Sequence, residues 1–147
     1  MPAVGELLSI NVSPERGSVK QPCGAALLQV DLGIAGDGHA GDWHRQLSLL
    51  NWEHAQTALP PGESAAYGEF AENLDISGLE LHILPPGTRL RIGEALVEIT
   101  QIGKDLREHP SPFELKGNGL MPREAAFARV LSGGRIGPGD AVRVEEE

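Results

Sequence analysis

Glycine and proline cut this sequence into short apolar runs, and that punctuation limits what the chain can fold into. Nineteen glycines and eleven prolines fall among 147 residues. Residues 7–12 are closed by Ser13-Pro14, residues 26–32 run into Gly33, and residues 88–92 and 96–102 flank Gly93-Glu94-Ala95. Apolar runs of this length, bounded by turn residues, read as strands. The pair around Gly93 is the clearest hairpin. Residues 46–50 predict a further strand and 141–145 a closing one. Leu74 and Ile76, alternating with polar neighbours, predict a short extended segment. P-G-T-R-L-R-I at 86–92 loosely echoes P-G-D-A-V-R-V at 138–144, as two similar strand entries into one barrel would.

Helix signals are few. Asn51 is placed to cap a helix over 52–59, with Glu53 near its positive end and Pro60-Pro61-Gly62 stopping it. A second helix is expected with Pro122 in its first turn. Ala126, Phe127, Val130 and Leu131 would form its apolar stripe, and Ser132-Gly133-Gly134 its end. Residues 103–119 show no periodicity and read as a long irregular loop, a length that compact domains keep for function or leave disordered. The sum is a single domain over 1–147. It is mainly β, with short strands, two or three short helices and no βαβ rhythm. A closed or nearly closed β-barrel fits best, and a sandwich is the alternative.

The net charge of −9, with no basic stripe, argues against a nucleic-acid partner. A small anionic ligand stays compatible, because local cations outweigh net charge at short range. Cys23 is the only cysteine, so neither an intrachain disulfide nor a cysteine-based zinc site can form. No apolar run approaches the roughly 20 residues of a membrane span, and the start lacks a signal-peptide pattern. The expectation is a soluble cytoplasmic protein.

Chemically able side chains concentrate between Gly33 and Asn51, where Asp37, His39, His44, Arg45 and Gln46 are interleaved with glycines. Asp37, His39 and His44 are metal ligands by type, but D-x-H with no third histidine nearby points rather to hydrogen-bonded loop residues. Gly117 and Gly119 leading into a helix that carries Arg123 predict an anion site at a helix N-terminus. Asn73, after Glu72, could read the edge of a heterocycle or cap a turn. Lys104 and Arg107 could meet a phosphate, with His109 as acid or base; the alternative is a solvated charge run. Cys23, beside Pro22 and Gly24 with no histidine near it in the chain, reads as a buried or bystander thiol.

Seven segments taken in order, G-I-A-G-D-G-H-A-G, R-Q-L-S-L-L, F-A-E-N-L, L-P-P-G-T-R-L-R-I-G-E-A, T-Q-I-G-K, M-P-R-E-A-A-F-A-R-V-L-S-G-G and P-G-D-A-V, resemble the MOSC domain. That family is named for the C-terminal part of molybdenum cofactor sulfurases, and the likeness is nearest to its short stand-alone bacterial members. It implies a barrel-cored β fold and a role in handling molybdenum cofactor, a pterin dithiolene that carries a phosphate (molybdopterin). It also attaches molybdenum-ion and pyridoxal-phosphate binding at the level of the family, since in fused members a pyridoxal-phosphate-dependent desulfurase supplies sulfur. Arg45, Gln46, Asn73, Lys104 and Arg123 match family motif positions, with Asp37 and His39 beside them, and the resemblance makes them the cofactor-binding candidates. The family usually carries a cysteine just after the Gly-Lys pair; here that position is Leu106. A leucine cannot hold a persulfide, so a cofactor binder or carrier is expected rather than a sulfurtransferase. A sulfur-transfer or molybdenum-dependent reductase, and a ligand-free interaction module for cofactor-biosynthesis proteins or molybdoenzymes, are the alternatives.

Overall fold

A computed structural model describes residues 4–15, 18–104, 112 and 115–145. The order of elements is β1 (Val4–Val12), β2 (Gln21–Pro22), β3 (Ala26–Gln29), β4 (Gly33–Ile34), β5 (Leu47–Asn51) and α1 (Trp52–Ala58). Then come β6 (Leu74–Ser77), a 3-10 turn (Leu81–Ile83), β7 (Arg89–Ile92), β8 (Ala95–Ile102) and α2 (Lys116–Glu124). β9 (Ala126–Ser132), β10 (Gly134–Ile136) and β11 (Ala141–Glu145) complete the chain. Seven strands form a closed barrel in the order β1-β11-β7-β8-β9-β5-β6, with β6 returning to β1. β2 extends β1 beyond the ring, and β10-β3-β4 form a separate three-stranded sheet.

A ring of seven strands cannot alternate in direction all the way round, so at least one neighbouring pair must run parallel. That pair is β5–β6, with Leu49 opposite Leu74. Parallel neighbours need a crossover, and residues 52–73 supply it, with α1 at their start. The absence of βαβ rhythm expected from the sequence is therefore corrected at this one place. β7 and β11, the two strands whose entries echo each other in sequence, are neighbours, with Arg91 opposite Arg143.

The barrel interior is filled by Leu7, Ile10, Leu47, Leu49, Leu74, Ile76, Leu90, Ile92, Val97, Ile99, Ala126, Ala128, Val130 and Val142, among others. A second cluster sits outside the wall, where α1 and α2 cover Leu50 and Phe127 with Trp52, Ala55, Leu59, Phe70, Leu120 and Met121. β5 and β9 are thus apolar on both faces, as strands covered on both sides are.

The second helix needs correction. Residues 126–132 are a strand, and the helix precedes them at Lys116–Glu124 with Pro122 inside it. Ala126, Ala128 and Val130 point into the barrel, Phe127 points out beneath the helices, and Arg129 is exposed. The period is two. It resembles a helical stripe only because one outward residue, Phe127, is buried as well. The helix also begins inside the stretch expected to be an irregular loop. Residues 105–111, including Leu106, Arg107 and His109, lie outside the described residues.

Candidate functional site

The glycine-rich stretch folds around Asp37. Its Oδ1 accepts from the Lys20 ammonium at 2.7 Å and from the Ser13 amide at 3.1 Å, and its Oδ2 accepts from the His39 amide at 3.0 Å. Both charged side chains are buried, Lys20 completely. Burial works against the Asp37 charge, but the His39 imidazole, the Lys20 ammonium and the His39 amide outweigh it and hold the carboxyl far below its usual range. The His39 ring is pushed below its ordinary value, first by burial. Lys20 and Lys104 add to this and Asp37 opposes it, so the imidazole is neutral at pH 7. Its Nδ1 lies 3.7 Å from Asp37 Oδ2. Trp43 stacks on His39 with ring centres 6.3 Å apart, and the indole N–H donates to the His39 carbonyl at 2.7 Å.

Two cations gather beside this loop. The Arg45 guanidinium lies 4.9 Å from the Trp43 ring centre and 5.6 Å from that of Phe127, and Lys104 Nζ lies 5.9 Å from the same Phe127 ring. These separations are within cation–π range. Lys104 is placed by backbone: its amide donates to the Pro122 carbonyl at 2.8 Å, and that of Gly103 to Ala125 at 2.7 Å. A Cβ at position 103 would stand 2.5 Å from the Pro122 oxygen, and φ there is +70°, so glycine is required to seat the lysine. Both cations therefore lie near one buried aromatic ring, in a chain of net charge −9.

The remaining candidates are placed differently. Gln46 is buried, and its Oε1 accepts from the Val130 amide at 2.9 Å. Asn73 is fully buried; its Oδ1 accepts from the Ser48 amide at 3.0 Å and its amide group donates to the Asn11 carbonyl at 3.1 Å. Beside it, Glu72 accepts from the amides of Gly68 and Phe70, each at 3.0 Å. Asp75, fully buried against Glu72, has its carboxyl pushed well up, by burial first and then by Glu72. Gln46 and Asn73 thus direct these polar groups to the barrel wall.

Arg123 is the larger correction. It sits in the last turn of α2, not the first, with Nη1 3.5 Å from Glu124 Oε2. A helix C-terminus carries negative partial charge and repels anions, so the predicted N-terminal phosphate cradle does not exist at Arg123. His44 turns away from Asp37 and His39, with Nε2 3.0 Å from Gln101 Oε1. Cys23 is exposed. Its thiol is pushed up by what burial it has, with the Asp37 charge adding to the effect, so it is not an activated thiolate. Lys20, Trp43 and Phe127 are the residues that sequence reasoning missed. Lys20 lay in a polar, turn-like segment, and Phe127 was assigned to a helix.

The fold is a closed seven-stranded, MOSC-like β-barrel. No protein-family model matches the chain, and no curated protein sequence does. Solved structures do. The YuaD protein from Bacillus subtilis superposes with a TM-score of 0.76 at 15% identity, over 99% of both chains. YiiM from Geobacillus stearothermophilus gives 0.67 at 20% identity, over 97% of this chain and 75% of its own. YiiM from Escherichia coli gives 0.63 at 21% identity, over 100% and 71%. At these identities the likeness is one of fold.

Proposed function

We propose that the chain binds a small phosphorylated heterocycle, a pterin of the molybdenum-cofactor type, and acts as a binder or carrier for it. The observation that carries this reading is the convergence of Arg45 and Lys104 over Phe127, with Trp43 beside Arg45. Arg45 and Lys104 would hold the phosphate by charge-assisted hydrogen bonds, and the half-exposed Trp43 ring offers a surface for a flat heterocycle. The cofactor would bring its own dithiolene-held metal. The protein's part is to anchor the anionic end and to keep the His39 imidazole neutral nearby. The fit stops at sulfur: residues 103–124 contain no cysteine, and Cys23 carries a raised thiol. Binding without sulfur transfer is therefore the reading these residues support.

The test is a fluorescence titration of the full chain with a phosphorylated pterin. Loss of one charge-assisted contact costs about 1.5–3 kcal/mol, so Arg45→Ala and Lys104→Ala should each weaken binding roughly tenfold or more. Wild-type affinity should fall with added salt. Absence of wild-type binding, or unchanged affinity in both variants, refutes the assignment.

A further inference from the structure

A second set of ligating side chains lies away from Arg45 and Lys104, where three segments distant in sequence meet. His54 comes from α1, Glu80 and His82 from the 3-10 turn and the residue before it, and Glu124 from the last turn of α2. His54 Nε2 is 3.0 Å from Glu80 Oε2, and His82 Nδ1 is 3.6 Å from the same oxygen. One ligand atom from each of His54, Glu80 and His82 lies within 4.8 Å of the others. Ligands bonded tetrahedrally at about 2.0–2.1 Å stand about 3.3 Å apart, so these three need only small adjustments to close on an ion.

Two further observations fit a bound cation. Glu124 Oε1 sits 2.6 Å from His54 Nδ1. A carboxylate on the far nitrogen of an imidazole takes its N–H and leaves the Nε2 lone pair for a metal, the arrangement that orients most metal-bound histidines. The other Glu124 oxygen is 3.5 Å from Arg123 Nη1, so the carboxylate is held from both sides. In addition, His82 Nδ1 is hidden from solvent and has no hydrogen-bond partner among the described residues, lying 3.6 and 3.7 Å from the carboxylate oxygens of Glu80 and Glu124. A buried ring nitrogen left without a partner is costly, and a metal ion centred among these groups supplies one.

We propose that His54 Nε2, His82 Nδ1 and a Glu80 carboxylate oxygen form a three-ligand site for a divalent transition metal of the zinc class, with Glu124 positioning His54. Two imidazoles and a carboxylate suit Zn²⁺, Co²⁺ or Ni²⁺ better than Ca²⁺ or Mg²⁺. The two carboxylates, Glu80 and Glu124, balance the ion's charge. Three protein ligands leave a coordination position for water or a small anion. The scaffold is rigid on both sides. Asn51 caps α1 through the His54 amide at 2.8 Å and donates to the Leu79 carbonyl at 2.8 Å, and Glu53 accepts from the Gly78 amide at 2.7 Å. The helix and the turn are thereby tied together before any ion arrives.

The test is a Co²⁺ titration of the chelator-treated full chain, followed by visible absorption and by Zn²⁺ competition. The wild type should take up one Co²⁺ per chain with the visible bands of a four- or five-coordinate ion, and Zn²⁺ should displace it. His82→Ala should weaken binding at least tenfold, and Glu124→Gln by about 10–100-fold. Cys23→Ser should bind as the wild type does. Circular dichroism checks each variant for folding, and the half-exposed Glu80→Gln decides the matter if His82→Ala fails to fold. No saturable Co²⁺ binding by the wild type, or wild-type affinity in both His82→Ala and Glu80→Gln, overturns the proposal. Neither result bears on pterin binding, which is read in separate variants.

Discussion

Lys20 and Asp37 are the residues through which the glycine-rich loop is held to the barrel. A buried ammonium and carboxylate at 2.7 Å add little net stability over an apolar pair, but removing one partner strands the other, at about 3–5 kcal/mol. The Asp37 carboxyl titrates far below its unfolded value of about 3.9. A depressed acid gives stability that is present above the unfolded value and is lost as pH falls through the folded one. Wild-type stability should therefore decline steadily below about pH 4, with Asp37 contributing up to one proton to the slope. Asp37→Asn should be less stable at pH 7 by the amount above and show a shallower decline below pH 4. Urea unfolding between pH 2.5 and 7 measures both, and equal slopes in the two proteins would contradict the assignment. The loop's polar character was legible in the sequence. Its anchor was not, because Lys20 lies seventeen residues away in a segment where a lysine normally faces water.

At the scale of elements, local signals were read well where they act locally. Asn51 was legible as a cap, and it is one: its Oδ1 accepts from the His54 amide at 2.8 Å. The hairpin around Gly93 was equally plain, and the two-residue connection Gly93-Glu94 joins β7 to β8. β9 was misread because a strand covered on both faces loses its alternation, and alanine and phenylalanine fit either period. That error carried Arg123 to the wrong end of a helix, and with it the phosphate site. His54, Glu80, His82 and Glu124 carried no readable signal, since their meeting depends on how two helices pack over the barrel. Asn51 joins these levels, holding α1 on one side and Leu79 on the other. Asn51→Ala removes a cap and leaves a carbonyl without its donor, so a loss of about 2 kcal/mol is expected in denaturant unfolding. A loss under about 0.5 kcal/mol would mean that apolar contacts alone seat the helix.

At the scale of the whole molecule, the barrel exists only because its ends meet. β1 pairs with β11 through Val4, Gly5 and Glu6 against Arg143, Val142 and Ala141, which joins the two ends of the described chain. β11 also pairs with β7 over four residues, and Val142 is fully buried in the interior. Removing this strand would open two edges at once and expose the apolar filling behind them, an invitation to edge-to-edge association. A chain ending at Asp140 should lack a cooperative thermal transition and should aggregate on concentration, whereas the full chain should unfold in one step. Glu145→Ala gives the contrast within the same strand. It removes an exposed pair with Arg91 at 3.4 Å, so its effect should stay within about 1 kcal/mol. Calorimetry on the three proteins separates closure from charge. If the shortened chain kept a sharp transition near that of the full one, β7 and β1 would have to be stable as free edges, and the ring would not be what holds this fold together.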